Sequence, residues 1–377
     1  MRPVATILFG FFLLSASCKK HQASAASGVA YSGTAVLSEP RSWLAAATTG
    51  DKAMFAGGLN FNNSLSSSTV DIYDAAAGSW TTARLSEPRY SPSAAAAGGK
   101  ILIAGGVDNI SPVDSSSATV DIYDAASGAW STARLSQARG DFAAAGLGNK
   151  ILFGGGVNLK TSASKTVDIY DVPSNTWTTA QLSKPRWLLA AAAAGTKVLF
   201  AGGTDTTVSN VVDIYDVSTG AWSTAQLSEA RIALTGVAAG NKILFAGGEG
   251  NNGSSKTVDI YDVSTGAWST ARLSVGRQQL AAAAVGNKIF FGGGNSVVTL
   301  PGGQVVDNGA TDTVDVYDAA ANRWAIMRLS QAREALAAAA AGNTLLFAGG
   351  AIPKNPGNTS IFYTAIATVD IFSVSGQ

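Results

Sequence analysis

Residues 198–222 read VLFAGGTDTTVSNVVDIYDVSTGAW. An apolar run closes on the glycine pair Gly202-Gly203, and a polar stretch follows. The segment VDIYD from Val212 then alternates apolar and polar residues with the period of two that marks a β-strand. Gly220 supplies a turn, and Trp222 stands seven residues beyond Tyr215. On this reading the segment is three short strands joined by turns.

The same pattern recurs along the chain. Glycine pairs begin at Gly57, Gly105, Gly155, Gly202, Gly247, Gly293 and Gly349, about 45 to 56 residues apart. The VDIYD segment begins at Val70, Val120, Val167, Val212 and Val258, becomes VDVYD at Val314 and ends as VDIF at Val369. Tryptophan follows in six units, at Trp80, Trp130, Trp177, Trp222, Trp268 and Trp324. Self-similarity at this period identifies a repeat architecture in which each unit is one supersecondary element.

Each unit opens with an alanine-rich run such as Ala190 to Ala194. Alanine favours helix, but five residues between an arginine and a glycine turn are too few for a stable one. As the innermost strand of a β-propeller the run makes sense, because small side chains fit the narrow centre. Pairs such as Gly148-Asn149 and Gly240-Asn241 suit the tight turn that follows. Four residues past the closing Asp of VDIYD stands only Gly or Asn: Gly78, Gly128, Asn175, Gly220, Gly266 or Asn322. A left-handed turn position selects those two residues.

A glycine pair, then Tyr, then Trp at this period resembles the Kelch repeat, from about Val29 to the end of the chain. The resemblance implies an all-β, seven-bladed β-propeller with four antiparallel strands per blade. It also implies that Tyr73, Trp80 and their counterparts wedge between neighbouring blades. The seventh unit lacks a fourth strand, and Val29 to Arg41 supplies one. Its sequence VAYSGTAVLSEPR matches GSWTTARLSEPR of Gly78 to Arg89 with one residue inserted and Tyr31 in the place of Trp. Pairing it with Val369 to Phe372 closes the ring and removes the exposed edges.

The domain reading is residues 1–28 as export signal and tether and 29–377 as propeller. Arg2, an apolar stretch from Val4 to Leu14 and small residues up to Cys18 have the order of an export signal, and the apolar part is too short to span a bilayer. The location expected is extracytoplasmic. Cys18, the only cysteine, stands where bacterial lipoproteins carry their lipidated residue, although Ser15 replaces the usual Leu; cleavage near Ala23-Ser24-Ala25 and release is the other outcome. Lys and Arg total 26 against 25 for Asp and Glu, which removes the charge excess that drives nucleic-acid binding.

In a propeller of this topology the loop before the first strand and the loop between second and third strands open on one face. That face carries the long, irregular loops Asn295 to Thr313 and Ala351 to Thr368, and is expected to bind. It also receives Arg41, Arg89, Arg139, Arg186, Arg231, Arg277 and Arg333, one per blade. Seven channel-mouth guanidiniums could hold a carboxylate, phosphate or sulfate. Alternatively, each forms a structural pair with the repeated Asp of VDIYD. The two positions after each Arg break the repeat, so the scaffold does not dictate them. Trp43, Tyr90 and Trp187 there, with Phe142 one residue further on, could stack on a sugar or anchor a peptide, or plug the channel as core; Gln278 joins them as a polar candidate.

The expected function is a non-catalytic scaffold for a protein, peptide or glycan, monomeric, with no cofactor or metal implied. The only histidine, His21, lies in the tether, which takes a Ser-His-Asp triad or His-ligated metal out of the propeller. The copper site of galactose oxidase-like relatives is therefore not expected. The alternative is a histidine-independent carbohydrate enzyme, mutarotase-like or glycosidase-like, using the off-repeat acids Asp141 and Glu334.

Overall fold

The structure, a computed structural model, describes residues 26–109, 115–300, 305–354 and 363–375. The export signal, Cys18 and most of the tether lie outside the described residues. Blade 4 shows how the repeat folds. Its first strand, Ala190–Ala194, pairs with Lys197–Ala201 across a turn at Gly195; Val211–Asp216 adds to the other edge of the second strand, and Trp222–Gln226 closes the blade. Seven sheets have this order, and their first strands touch in sequence and return from blade 7 to blade 1.

The core lies between blades. In the second strand of blade 4, Val198 and Phe200 pack toward blade 3, whereas Leu199 and Ala201 pack toward blade 5. Side chains alternate across a strand, and here a neighbouring blade covers each face. This is why the second strands are continuously apolar instead of alternating. Tyr215 joins the layer toward blade 3 and meets Trp222 at 5.0 Å. The same pairing recurs from Tyr73 and Trp80 to Tyr317 and Trp324. The aromatic pairs thus occupy the junctions expected of them.

Alanine forms strands at the centre because larger residues do not fit. A Cβ added to Gly146 would stand 1.9 Å from the carbonyl oxygen of Ala96 in the adjoining blade. The inner strands of blades 1 to 5 line a cavity of about 320 Å³ walled mostly by alanine. At the outer turns, Asn175 and Asn322 adopt φ of 54° and 51°, and each side chain accepts a hydrogen bond from the tyrosine hydroxyl of its own blade.

Val29–Val36 completes blade 7 by pairing with Thr368–Val374. Tyr31 faces Phe372, Gly33 faces Ile371, and the intervening Ser32 forms a bulge. The residue inserted in the sequence match is therefore a β-bulge, which adds one residue without shifting the rest of the register.

The long loops are more regular than their sequence suggests. In blade 6, Asn295–Thr299 and Val305–Ala310 form a hairpin, which joins the small hairpin of blade 5 in a four-stranded accessory sheet. Val297, Val298, Thr299, Val305 and Val306 are β-branched, which favours strand. In blade 7, Ala351–Pro353 pairs with Tyr363–Ala365, and 355–362 lie outside the described residues.

Candidate binding pocket

The seven repeated arginines do not line the channel mouth. All are fully buried, and each pairs with the Asp of its own blade. Arg186 pairs with Asp213 and also donates to the carbonyls of Gly202 at 2.6 Å and Val211 at 2.7 Å. The other oxygen of Asp213 accepts from the amide of Ser183 at 2.8 Å. Burial pulls each guanidinium below its ordinary value and the paired carboxylate opposes this. The structural pair with the repeated Asp is thus the arrangement found in place of seven anion-binding guanidiniums, and Arg41, Arg186 and Arg231 also donate to the first carbonyl of the glycine pair.

The two residues beyond each arginine build the mouth. The first pairs with the residue after the glycine pair, as Tyr90 with Val107, Ile232 with Glu249 and Gln278 with Asn295. The second turns left-handed in every blade: Trp43, Ser91, Asp141, Leu188, Ala233, Gln279 and Ala335 have φ between 48° and 53°. Their amides reach between blades, with Ser91 donating to Trp43, Leu188 to Asp141, Ala233 to Leu188, Gln279 to Ala233 and Ala335 to Gln279, at 3.0 to 3.2 Å. A left-handed residue directs its side chain where a right-handed one cannot. All seven therefore form the rim of one pocket of about 610 Å³.

The next residue of each blade, Leu44, Pro92, Phe142, Leu189, Leu234, Leu280 or Leu336, forms the floor. Phe142 thus occupies a position that is apolar in every blade. It is buried, lies edge-on to Phe153 at 6.0 Å and sits beneath the guanidinium of Arg139 at 5.2 Å. The floor role belongs to the scaffold, so Phe142 is core whose edge the pocket exposes.

The other candidates divide. Trp43, Tyr90, Asp141 and Gln278 wall the pocket; Trp187 and Glu334 do not. Trp43 lies 6.0 Å from Tyr90 and 5.2 Å from Phe61, which stacks on Tyr363 at 5.3 Å. An aromatic row therefore runs from the pocket wall across blade 1 to the loop of blade 7. Burial raises the Asp141 carboxyl above its ordinary range, with a hydrogen bond from Ser91 opposing. Glu249 also faces the pocket, raised by burial and opposed by a hydrogen bond from Gln278. Glu334 is buried elsewhere, beside Tyr363 and Asp307, and burial with the Asp307 charge pushes it up to about 7. The proposed acid pair of Asp141 and Glu334 is not brought together, because Glu334 turns into the junction of blades 6 and 7.

Sequence reasoning missed Glu249 and the aromatics Phe61 and Tyr363. Glu249 carried a signal: it follows a glycine pair at a position otherwise held by Leu59, Val107, Val157, Thr204, Asn295 and Ala351. Phe61 and Tyr363 lie in loops without repeat equivalents, where periodicity has nothing to compare.

The KLHDC2/KLHL20/DRC7 Kelch-repeats domain matches residues 142–350, more than half of the chain, and the Kelch motif matches 88–134. No curated protein sequence matches the chain. Among solved structures, one titled "Structure of YjhT" superposes with a TM-score of 0.56 at 15% identity, covering 91% of this chain and 97% of the other. At that identity the likeness is one of fold. Repeat motif, blade structure and domain match agree, and the chain belongs to the KLHDC2/KLHL20/DRC7 Kelch-repeats domain family of β-propellers.

Proposed function

We infer that the chain is a non-catalytic binding scaffold that takes a protein, peptide or glycan on its loop-bearing face, with the central pocket as its anchor point. Kelch propellers generally mediate protein interaction. The observation that carries the reading is the rim. One residue from each blade is held in the same backbone conformation, yet the seven positions carry six different side chains. The polar groups that do repeat are consumed internally, as in the Arg186–Asp213 clamp. The proposed setting is extracytoplasmic, reached through the 1–28 leader with or without a lipid on Cys18. With its ring closed, the propeller is proposed to act as a monomer.

A second reading, a histidine-independent carbohydrate enzyme, is favoured by one observation: Asp141 and Glu249 stand in one pocket with carboxyls raised by burial. Raised carboxyls suit general-acid work. Among the described residues no arginine lines that pocket, however, so a developing negative charge gains no counter-charge there.

Glycan arrays and extracytoplasmic extracts, screened with wild type, Trp43→Ala, Gln279→Ala and Lys197→Ala, test the proposal. Lys197 lies on the opposite, hairpin face, paired with Asp216 at 2.6 Å. Retention of a ligand by wild type and Lys197→Ala with loss from the two rim variants is expected. Loss from Lys197→Ala alone would move the binding surface to the hairpin face, and turnover of a captured glycan would establish the enzyme reading.

A further inference from the structure

We propose that the pocket selects a cationic group, the guanidinium or ammonium of an arginine or lysine side chain presented by a protein partner, held between the Asp141 and Glu249 carboxylates and the faces of Trp43 and Tyr90. The inference rests on the scaffold reading and adds the chemistry of the ligand.

The side chains that bear charge on the pocket wall are Asp141 and Glu249, and both are acids. The basic groups that could neutralise them are the seven repeat arginines, whose donors point away into their own blades. Arg139, two residues before Asp141, shows the geometry: it pairs with Asp168 at 2.7 Å and donates to the carbonyl of Phe153 at 3.0 Å. The partners Asp141 and Glu249 do have, Ser91 and Gln278, are neutral. Such hydrogen bonds offset only part of the desolvation that keeps both carboxyls above their ordinary range.

A cation entering the pocket supplies what the wall lacks, because opposite charges attract more strongly where water is partly excluded. An anion meets two like charges, so the selectivity is the reverse of that expected from a mouth ringed by arginine. The aromatic pair gives a second reason for the same choice. Trp43 and Tyr90 are half-buried, 6.0 Å apart and inclined by 36°, and both border the pocket. A cation over such rings is attracted by their negative faces, and a planar guanidinium also stacks on them. The floor of leucines beneath suits the methylene stem of either side chain.

The probes are acetyl-Gly-Arg-Gly-amide, its citrulline counterpart, which keeps the shape but replaces the charged guanidinium with a neutral urea, and its glutamate counterpart. Each is titrated by peptide NMR line broadening against the full chain and the near-isosteric Asp141→Asn/Glu249→Gln variant. Expected is saturable binding of the arginine peptide to wild type, at least tenfold weaker binding of citrulline and glutamate peptides, and a similar loss for the arginine peptide in the double variant. A Trp43→Ala variant should weaken arginine and citrulline peptides together, which separates stacking from charge. Equal binding of arginine and citrulline, preference for glutamate, or no binding of any probe overturns the cation assignment. The scaffold reading fails separately, when rim substitutions leave capture of the natural partner intact.

Discussion

The amide of Trp43 donates to the carbonyl of Ala335 at 3.0 Å, across the junction where the last blade meets the first. The contact joins two left-handed residues and extends the chain of inter-blade hydrogen bonds over the seam. Left-handed backbone costs a non-glycine residue about 1 kcal/mol or more, so the rim stores strain in every blade. Ala233→Gly should relieve it and stabilise the propeller by about 0.5–1 kcal/mol in urea unfolding. Ala94→Gly in an inner strand, where φ is ordinary, should cost a similar amount. The same sign for both substitutions would remove the strain argument.

The buried clamps predict a different pattern. Arg186→Met leaves Asp213 charged and buried without its partner, which should cost about 3–5 kcal/mol. Adding Asp213→Asn removes that charge while keeping an acceptor for the Ser183 amide, so the double variant should recover more than 1 kcal/mol of the loss. Arg186→Lys should resemble the methionine variant, because a single ammonium cannot reach Asp213 and two carbonyls in the planar fork that arginine provides. A double variant no more stable than Arg186→Met would show that the carbonyl contacts, and not the ion pair, carry the clamp.

The repeat made most of this fold legible. Seven glycine pairs and seven VDIYD-type segments gave blade number, and the inserted residue near Tyr31 even marked the bulge at Ser32. The rim was legible for a related reason: positions 43, 91 and 141 stand out because the repeat does not fix them. What periodicity could not give was direction. An arginine recurring beside the mouth looks the same in sequence whether its side chain points at a ligand or back at Asp213. Left-handed backbone at Trp43 or Leu188 carries no glycine to announce it. Glu334 and Asp141 occupy adjacent repeat positions, yet the former turns into a blade junction and the latter into the pocket.

Closure of the ring by Val29–Val36 predicts the effect of truncation. Removing residues 1–36 strips blade 7 of its outer strand and leaves Thr368–Val374 as an open edge. It also removes the Tyr31 ring from Phe372 and its hydroxyl from Asp370. Open edges pair with other chains. The truncated protein should therefore elute as concentration-dependent oligomers on size-exclusion chromatography and unfold at lower temperature than a protein starting at residue 26. A monomer of unchanged thermal stability would assign closure to the inner strands alone.

Glu334 sets the expected response to pH. Its carboxyl is raised from an ordinary 4.5 to about 7, first by burial, then by the Asp307 charge, with the Tyr363 hydroxyl opposing. A raised folded value means that the folded state holds the proton more tightly than the unfolded chain. Its contribution is complete below about pH 4.5 and is lost as pH rises through about 7. The shift corresponds to on the order of 3 kcal/mol. Asp141 and Glu249 shift in the same direction, but they are present in both proteins of a comparison with Glu334→Gln and cancel. Asp124 and Asp171, both lowered to about 2, act only in acid. Between pH 5 and 8, wild type should lose stability relative to Glu334→Gln, which keeps an acceptor for Tyr363 without the charge. Denaturant midpoints of the two should converge near pH 4.5 and separate steadily toward pH 8, with the variant the more stable. Parallel curves across that window would mean that Glu334 stays protonated throughout.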